Sequence, residues 1–540
     1  MPKREQINIT KFGGTSFMMN EHYDFIVCGA GPAGSVIAAR LAEDKQVNVL
    51  LIEAGGTDEV PEVMTPAQWP LNLGSERDWA FVAQPNAHLN GRSIPLNMGK
   101  VLGGGSSINV MVWARGHKND WNYFAEASGD PAWGYESVLE IYRRIENWQG
   151  ASDPVRRGTG GPVYVESAAN PQPIAQSMVE AANSMGIPRF ESPNGEMMEG
   201  RGGAAINDLI IRNGRRSSIF RSYVYPLLNQ PNLSVLTHTI VSKLIFDGKS
   251  VIGVEVIQDG RRNHYYASEE VILSLGAINT PKVLLQSGIG PEEELRRHGI
   301  PVVQHLPGVG QNHQDHVSFG CIFEYREPQK ISNGGSEATL YWTSDPNLKQ
   351  PDMFHCQVEF PVPSADTAHL GVPEHGWTMF AGLSHPKSRG TVRLSGPDVN
   401  DPVLINANTL SHPDDLKAAF SNIELCRDLG NSSVFEKLVK REALPGKLGR
   451  SEMENFARNA AVTYWHQSCT AKMGQDSMSV VDGNLKVYGI NKLRVADASI
   501  MPEITSGNTM APCVVIGERA ADIIKQAHRM TSYQAVKVAG

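Results

Sequence analysis

The sequence predicts an α/β fold, α+β overall, in which a parallel βαβ unit is joined to a second domain with a mostly antiparallel sheet. The first observation is the order strand, glycine turn, helix, strand and acid over residues 23–53. The second is a series of strand-like segments beyond residue 315. The third is a new strand and helix beyond residue 493, which indicates that the first domain is assembled from separated segments.

Composition and length are those of a large globular protein. The chain has 540 residues, 41% of them hydrophobic and 20% charged, which predicts two to four domains. The formal net charge is −8 and no long basic run occurs, so a nucleic-acid partner is not expected. Composition does not decide between a monomer and a dimer.

The cysteines and the hydropathy pattern bear on compartment. No two of the six cysteines lie closer than 35 residues, which gives neither a metal knuckle nor a disulfide framework. We therefore expect a reducing, cytoplasmic setting. No apolar run of 18 residues is present, so no transmembrane segment is expected, and peripheral membrane contact stays open.

The βαβ unit carries a dinucleotide fingerprint. The apolar strand Tyr23–Cys28 runs directly into a turn with Gly29, Gly31 and Gly34, and the second strand ends at Glu53. The three glycines permit a tight turn, close approach of a pyrophosphate, and helix–strand packing, in that order. The helix N-terminus offers free N–H groups to phosphate. The acid, 19 residues after the third glycine, suits a ribose and disfavours a 2′-phosphate.

A second glycine-rich stretch spans residues 99–113. Gly103, Gly104 and Gly105 leave the backbone almost without side-chain bulk, and Ser107 and Asn109 add polar groups beside it. Such a loop lets a large flat cofactor lie against peptide groups. An ordinary tight turn is the alternative.

The intervening loops and helices are less distinctive. Residues 56–98 hold Trp69, Trp79 and Phe81, either as a cover over a cofactor or as a satellite hydrophobic cluster. We predict helices over 119–149 and 172–187, a hairpin of 235–246 with 250–257, and a strand at 270–274. Thr280 is predicted to cap a helix that begins at Pro281 and ends at Gly288.

The second domain begins near residue 315. Helices are expected near 413–430 and 451–460, and the last domain segment contains a strand ending at Asp497 and a helix from Val514 to Gln526. The strands that we expect in an antiparallel sheet are Phe319–Tyr325, Met353–Val362, Thr378–Leu383 and Thr391–Leu394.

Four motifs together resemble the glucose–methanol–choline (GMC) oxidoreductase family: residues 29–34, 99–113, 276–290 and the C-terminal block. Residues 306–316 resemble a recurring stretch of the same family. The resemblance covers roughly residues 22–530. It implies a Rossmann-like FAD-binding domain, a substrate domain with a six-stranded antiparallel sheet flanked by helices, and oxidation of an alcohol to a carbonyl.

The resemblance also suggests domain boundaries. The FAD-binding domain is predicted at 20–158, 204–314 and 463–530, and the substrate-binding domain at 159–203 and 315–462. Residues 1–19 are predicted to be a flexible leader and residues 531–540 a flexible tail.

Cofactor contacts are carried over from the family position by position. Ile108 stands where some choline-type members have the histidine that attaches FAD covalently, so non-covalent FAD is predicted. The predicted contacts are Gly29, Gly31, Gly34, Glu53, Ala54, Trp79, Val101, Gly103, Gly104, Ser107, Asn109, Val110, Met111, Val241, Trp465, Asp497, Ala498, Asn508 and Thr509.

The catalytic pair implied by the resemblance is His466 and Asn508, 42 residues apart. A neutral imidazole can accept the hydroxyl proton while FAD takes the hydride. Asn508 would orient the substrate oxygen. The chain departs from the family at Gln467, where proline is common, and at Cys469, where glycine is common, which leaves the local pocket shape open.

Substrate contacts are predicted at His355, Phe354 and Tyr464, and a metal at His313, Asp315 and His316 is not expected. The expected reaction is oxidation of a primary, non-cationic aliphatic or aromatic alcohol, with oxygen or another acceptor reoxidising the flavin. A choline-type enzyme and a flavin-containing hydroxynitrile lyase are the alternatives. For a cationic substrate the candidate contacts are Glu359, Tyr341 and Trp342.

Overall fold

The first sheet contains the predicted βαβ unit. The computed structural model describes residues 22–530, so the predicted leader and tail lie outside the described residues. The strand His22–Cys28, the helix Pro32–Leu41 and the strand Val49–Ile52 follow one another as predicted. Both strands are apolar and almost wholly buried, as expected for a parallel sheet covered on its two faces.

This sheet has seven strands and mixed direction. The C-terminal half of Arg261–Leu273 runs parallel to His22–Cys28, while its N-terminal half pairs with an antiparallel hairpin. Leu493–Val495 adds to the same strand in parallel. The order is Leu233–Leu236, Val49–Ile52, His22–Cys28, Arg261–Leu273, Ser250–Gln258 and Thr239–Asp247, with Leu493–Val495 beside Arg261–Leu273.

The C-terminal helix completes the first layer. Met510–Ala527 packs against Pro32–Leu41, and a Cβ at Gly517 would lie 2.8 Å from both the Ala33 carbonyl oxygen and the Val36 Cβ. The first and last helices of the described chain therefore touch through a glycine. The prediction that the C-terminal block returns to the first sheet is confirmed.

The second sheet is antiparallel throughout its pairings. Its strands contribute buried aromatic and β-branched residues, which suit a pleated surface. A path of six strands is joined by a short seventh, Ala461–Thr463, which pairs with Val317–Tyr325. The order along the path is Val439–Leu444, Val317–Tyr325, Gly376–Leu383, Met353–Val358, Ala338–Trp342 and Gly203–Ile206.

Helices cover one face of the second sheet. Pro413–Gly430 buries Ala419, Ile423 and Cys426 at a helical spacing of three and four residues, so one stripe faces the sheet. Arg450–Ala460 and Pro173–Ser184 pack nearby. Together the two sheets and their helices make a mixed α/β protein.

Of three local predictions, the one at Thr280 is wrong. Residues 119–149 are largely helical, as predicted, and form two helices, Lys118–Ser128 and Tyr135–Ile145, because Gly129 takes a positive φ of 70° and ends the first. Helix Gly276–Gln286 contains Thr280 and Pro281 inside it, so Thr280 is no cap and bonds Asp497 instead. Gly288 does lie just past its end, at φ 82°.

The sheet assignments differ at two segments. Thr391–Leu394 pairs only with Val403–Asn406 in a separate hairpin, outside the large sheet. Gly203–Ile206 pairs with Ala338–Trp342 of the second sheet, although the sequence places residues from 204 onward in the FAD-binding domain. The other predicted boundaries stay predictions.

The remaining elements are short or lie at the surface. Further helices are Pro61–Met64, Gly105–Ile108, Ile219–Tyr223 and Glu292–Arg297. Short strands are Phe81–Val82, Pro95–Leu96, Glu146–Trp148, Val163–Ser167, Asp208–Leu209, Ile211–Arg212, Arg215–Arg216, Ile289–Gly290 and Gln304–His305.

Candidate active site

The fingerprint turn brings three backbone segments into contact. Gly29 has φ 102°, and a Cβ there would lie 2.3 Å from the Ser274 carbonyl oxygen. A Cβ at Gly34 would lie 1.9 Å from the Gly29 carbonyl oxygen. At Gly31 a Cβ would meet nothing within 4 Å, because this residue faces a long cavity. The turn therefore needs two glycines for its own packing and leaves the third open for a ligand.

Glu53 joins the second strand to this turn. Its carboxylate accepts N–H groups from Ala30 at 3.0 Å and from Gly55 at 2.9 Å. Burial raises the pKa of Glu53 to about 7. The side chain lines the cavity at the same end as Gly31. Its position suits the predicted ribose contact, and its two backbone partners show that it also stabilises the turn.

The glycine-rich loop packs directly on the fingerprint. The Gly103 N–H donates to the Ala30 carbonyl at 2.9 Å, and a Cβ at Gly104 would lie 2.8 Å from the Gly31 Cα. The loop is held from behind by Arg216, which donates to the Asn109 side-chain oxygen at 2.7 Å and to its carbonyl at 2.6 Å. Arg216 is fully buried, which lowers its pKa to about 9. No sequence motif pointed to this arginine.

One cavity connects the nucleotide end to the second sheet. Most predicted cofactor residues line it: Gly29, Gly31, Glu53, Ala54, Trp79, Gly104, Asn109, Val110, Trp465, Asp497, Ala498, Asn508 and Thr509. Trp69 lines it as well, so two of the three aromatic residues from 56–98 cover it, while Phe81 stacks behind Trp79 at 5.8 Å.

Six predicted cofactor residues do not line the cavity. Gly34, Val101 and Gly103 are packed against neighbouring backbone or core. The Ser107 hydroxyl donates to the Leu102 carbonyl at 2.6 Å. Val241 and Met111 are buried elsewhere, since Val241 belongs to the strand Thr239–Asp247 and Met111 lies beside Gly334. These residues shape the site from behind.

Asp497 ties the C-terminal block to the cavity. Its carboxylate accepts the Gly276 N–H at 2.9 Å, the Thr280 hydroxyl at 2.6 Å and the Ser499 N–H at 2.8 Å. The residues of the 276–290 motif and of the C-terminal block are thus brought together by one buried acid. Burial raises the pKa of Asp497 above its ordinary value.

His466 and Asn508 meet at the cavity wall. The Asn508 Nδ2 lies 3.3 Å from the His466 Nε2, and both side chains line the cavity. A loop with Trp465 at φ 60° carries His466, while Asn508 lies just before the helix Met510–Ala527. The tertiary structure therefore places side by side two residues that are 42 positions apart.

Asp315 holds the loop that carries His466. Its carboxylate accepts the His466 backbone N–H at 2.9 Å, the Gln467 side-chain N–H at 3.0 Å and the Thr463 hydroxyl. Gln467, a departure from the family pattern, thus has a defined partner. Cys469, the other departure, is fully buried with φ 74°.

A second histidine lies behind the first. The His316 Nδ1 is 2.9 Å from the His466 Nδ1, and the His316 Nε2 is 2.9 Å from the Ser384 carbonyl oxygen. Burial lowers the pKa of His466 to about 3 and that of His316 well below 6.5. Both imidazoles are therefore neutral at physiological pH. The sequence stretch 306–316 contained His316, and only its contact shows its relevance.

The substrate end of the cavity has an aromatic wall, which we define as Trp69, Phe354, Phe360, Phe380, Tyr464 and Trp465. Tyr464 packs on Phe354 with ring centroids 4.5 Å apart and stacks on His466 at 5.7 Å. Its hydroxyl lies 3.0 Å from the Cys356 Sγ, which also lines the cavity. The predicted positions of Phe354 and Tyr464 fit this wall.

His355 does not reach the cavity. It alternates with Phe354 and Cys356 along one strand and lies on the opposite face, 3.5 Å from the Asn422 carbonyl of the covering helix. Successive strand residues point to opposite faces, which is why neighbours of a pocket residue are excluded from the pocket. The structure therefore does not bring His355 to the cavity with Phe354 and Tyr464.

The residues predicted to contact a cationic substrate also lie outside the cavity. Among the described residues that line the cavity, Glu53 and Asp497 are the charged ones, and neither belongs to the aromatic wall. Glu359, Tyr341 and Trp342 do not line it. Glu359 instead accepts the Ser332 N–H at 2.7 Å.

The described residues hold neither a metal-ligand cluster nor a membrane-spanning helix. Within residues 22–530, no group of three or more His, Cys, Asp or Glu side chains is arranged to hold a metal ion, including the His313–His316 segment. No helix in this range is both long and apolar enough to cross a bilayer.

A dinucleotide fingerprint and a glycine loop on its open side face the same cavity as the neighbouring side chains of His466 and Asn508, and the fingerprint indicates a dinucleotide-binding enzyme. Models of the GMC oxidoreductase family match residues 23–318 and 386–517. The chain therefore belongs to the GMC oxidoreductase family.

Individual relatives agree along nearly the whole chain. The oxygen-dependent choline dehydrogenase of Brucella anthropi is 36% identical over 532 residues, 93% of this chain and 95% of the relative. The mitochondrial choline dehydrogenase of Mus musculus is 35% identical, covering 94% and 90%. The crystal structure of pyridoxine 4-oxidase from Mesorbium loti has a TM-score of 0.89 at 32% identity, covering 94% of this chain and all of that one.

The protein is an FAD-dependent oxidoreductase that acts on CH–OH donors. The cavity fits this cofactor, since Gly31 opens onto it at the N-terminus of the helix Pro32–Leu41 and Glu53 lies beside the turn. Such a terminus favours pyrophosphate.

The two kinds of fingerprint glycine give a testable contrast. Gly34→Ala places a Cβ into backbone, so we expect it to lower the free energy of unfolding by about 3 kcal/mol or more. Gly31→Ala meets no protein atom, so the apoprotein should keep its Tm while FAD affinity falls, because the methyl group occupies the path of the pyrophosphate. Apoprotein melting and FAD titration measure both effects. A normal FAD affinity in Gly31→Ala would contradict the assignment of this turn as the pyrophosphate site.

Proposed function

We propose that the enzyme oxidises a primary, non-cationic alcohol to the aldehyde, with His466 as the base and Asn508 as the group that orients the substrate oxygen. The observation that carries the proposal is the 3.3 Å approach of Asn508 Nδ2 to His466 Nε2 at the cavity wall. A donor and an acceptor at this separation can both address one hydroxyl group. Bound FAD supplies the hydride acceptor.

The two side chains divide the work at the hydroxyl group. His466 is neutral, so its Nε2 lone pair accepts the hydroxyl proton as the C–H bond breaks. The Asn508 Nδ2 donates a hydrogen bond to the same oxygen and fixes its direction. Asp315 keeps the His466 loop in place through three hydrogen bonds. His466 itself is buried, which limits the water that can compete for its ring.

The aromatic wall supports a neutral substrate. A buried ammonium group needs a paired carboxylate or dense hydrogen bonding to offset its desolvation. The wall offers ring faces and the Tyr464 hydroxyl, and the Cys356 thiol lines the cavity beside it. The name of the Mesorbium loti neighbour, pyridoxine 4-oxidase, gives a substrate with an aromatic ring and is in line with this choice.

A choline-type reaction is the second candidate. The relatives from Brucella anthropi and Mus musculus are named choline dehydrogenases. Ring faces attract quaternary ammonium groups by about 0.5–2 kcal/mol each. A hydroxynitrile lyase is the third candidate, and conversion of substrate without flavin reduction would support it.

The remaining parts of the proposal concern attachment, acceptor and compartment. FAD is held non-covalently, which is supported by the apolar Ile108: it lines the cavity and, by the family resemblance, stands where some members have the covalent histidine. The acceptor is oxygen or another oxidant. The six free thiols support a reducing, cytoplasmic compartment.

The base is tested by His466→Ala. We expect the rate of flavin reduction by substrate to fall by about 10²–10⁴, the usual contribution of a general base. FAD should remain bound, and anaerobic stopped-flow absorbance follows the reduction. His355→Asn is the matched control, since it removes a buried imidazole from the neighbouring strand without touching the cavity. Reduction of His466→Ala at the rate of the control would remove His466 from the mechanism.

Substrate charge is tested with an isosteric pair. Choline and 3,3-dimethyl-1-butanol have the same shape and differ in the positive charge. We expect the neutral alcohol to have at least about tenfold higher kcat/KM, and benzyl alcohol to exceed both, because the wall has ring faces and no carboxylate. A higher kcat/KM for choline would favour the choline-type reaction.

The pH dependence of the rate of flavin reduction should reflect the protonation of the Asp315 carboxylate. Burial raises its pKa to about 7, so the carboxylate is ionised above this pH and protonated below it. Protonation removes acceptor sites that hold the His466 loop, so flavin reduction should slow as the pH falls below about 7. His466 itself, with its pKa near 3, stays neutral throughout. The Asp315→Asn variant should reduce flavin slowly at every pH and should not show the fall in rate below about pH 7. If the same fall persists in that variant, a group other than Asp315 causes it.

A further inference from the structure

His316 has no role in the reaction as proposed so far, although it touches the base. It lies on the segment between the two sheets, is completely buried, and packs its ring against Phe354 at 5.1 Å. Its Nδ1 lies 2.9 Å from the His466 Nδ1 and its Nε2 lies 2.9 Å from the Ser384 carbonyl oxygen, and the Thr505 carbonyl also acts on this imidazole. A buried imidazole with both nitrogens engaged has a defined tautomer.

The Ser384 carbonyl determines which ring nitrogen of His316 carries the hydrogen. A carbonyl oxygen only accepts, so the His316 Nε2, 2.9 Å away, must carry a hydrogen and donate it. A neutral imidazole has one N–H, so the His316 Nδ1 bears a lone pair. The 2.9 Å contact between the two Nδ1 atoms then requires the hydrogen on His466.

The tautomer of His466 follows from that of His316. With its hydrogen on Nδ1, the neutral His466 has its lone pair on Nε2, the nitrogen that faces Asn508 and the cavity. Asn508 Nδ2 is a donor, so its contact with His466 Nε2 also requires a lone pair on that nitrogen. This agrees with the tautomer derived from the contacts of Ser384 and His316. The other tautomer would place an N–H toward the substrate oxygen and could not accept its proton.

We propose that His316 is a positioning residue that sets the tautomer of His466, using the Ser384 carbonyl as the fixed reference. This inference rests on the proposed role of His466 as the base. His316 does not touch the substrate and takes no proton from it. It keeps the accepting nitrogen pointed into the cavity, so that the base does not have to change tautomer before each turnover.

Two amide substitutions separate this role from a structural one. In His316→Asn, Oδ1 stands where the imidazole has Nδ1 and can accept the His466 hydrogen. In His316→Gln, Nε2 stands where the imidazole has Nε2 and can donate to Ser384, while the acceptor toward His466 is lost. Each variant thus retains one of the two hydrogen bonds.

We expect the limiting rate of flavin reduction to fall by about 10²-fold or more in His316→Gln, within the range set by loss of a general base. In His316→Asn it should stay within about tenfold of the wild type. The apparent Kd for the alcohol should change little in either variant. The solvent deuterium isotope effect should rise in His316→Gln, because proton removal from the hydroxyl group then limits the rate. Equal rates in the two variants, high or low, would overturn the proposal.

The tautomer can also be read without a variant at position 316. In holoenzyme labelled with ¹⁵N-histidine, the His466 signals are those lost in His466→Ala. We expect a protonated Nδ1 and an unprotonated Nε2, and the reverse pattern would overturn the proposal. Normal flavin reduction in His466→Ala would instead refute the proposed function, whatever the tautomer.

Discussion

The site depends on one half-buried carboxylate, that of Asp315. It lies where the chain passes from the first sheet to the second, two residues before the strand Val317–Tyr325. Three donors from residues 463–467 converge on it. A short loop with a positive φ at Trp465 would otherwise have few contacts to define it. The acid therefore holds the end of the second sheet against the loop that carries His466.

Burial disfavours the charged form of several groups at the site. It raises the pKa of Glu53 and Asp315 to about 7 and lowers that of His466 to about 3, because each charged form loses hydration. The result is a cavity in which the imidazoles are neutral and hydrogen bonds, rather than ion pairs, determine orientation. Such an environment suits transfer of a proton and a hydride between fixed groups.

The two ends of the cavity are built by different means. At the nucleotide end, backbone approaches backbone through glycines, and Arg216 and Asp497 connect segments that are far apart in sequence. At the substrate end, the strand residues Phe354 and Phe380 and the loop residue Tyr464 supply rings. The first arrangement presents main-chain groups to the cavity, while the second presents ring faces.

Sequence reasoning succeeds where a function requires a local pattern. The strand–glycine–helix order predicted the turn at Gly29–Gly34, and the apolar runs predicted most strands of both sheets. The pairing of His466 with Asn508 came from family resemblance, and the structure brings the two side chains together. Local reasoning failed at His355, because whether a strand residue faces a pocket or a helix depends on which side the helix covers.

What the sequence by itself determined is the presence of the fingerprint, the glycine loop and the alternation of apolar segments, since each depends on neighbours in the chain. The tertiary structure alone decided that Arg216 supports the loop, that Asp315 holds the His466 loop, and that His316 lies behind His466. These contacts join residues about 107 to 151 positions apart. Their geometry follows from how two sheets pack, and no local pattern encodes that packing.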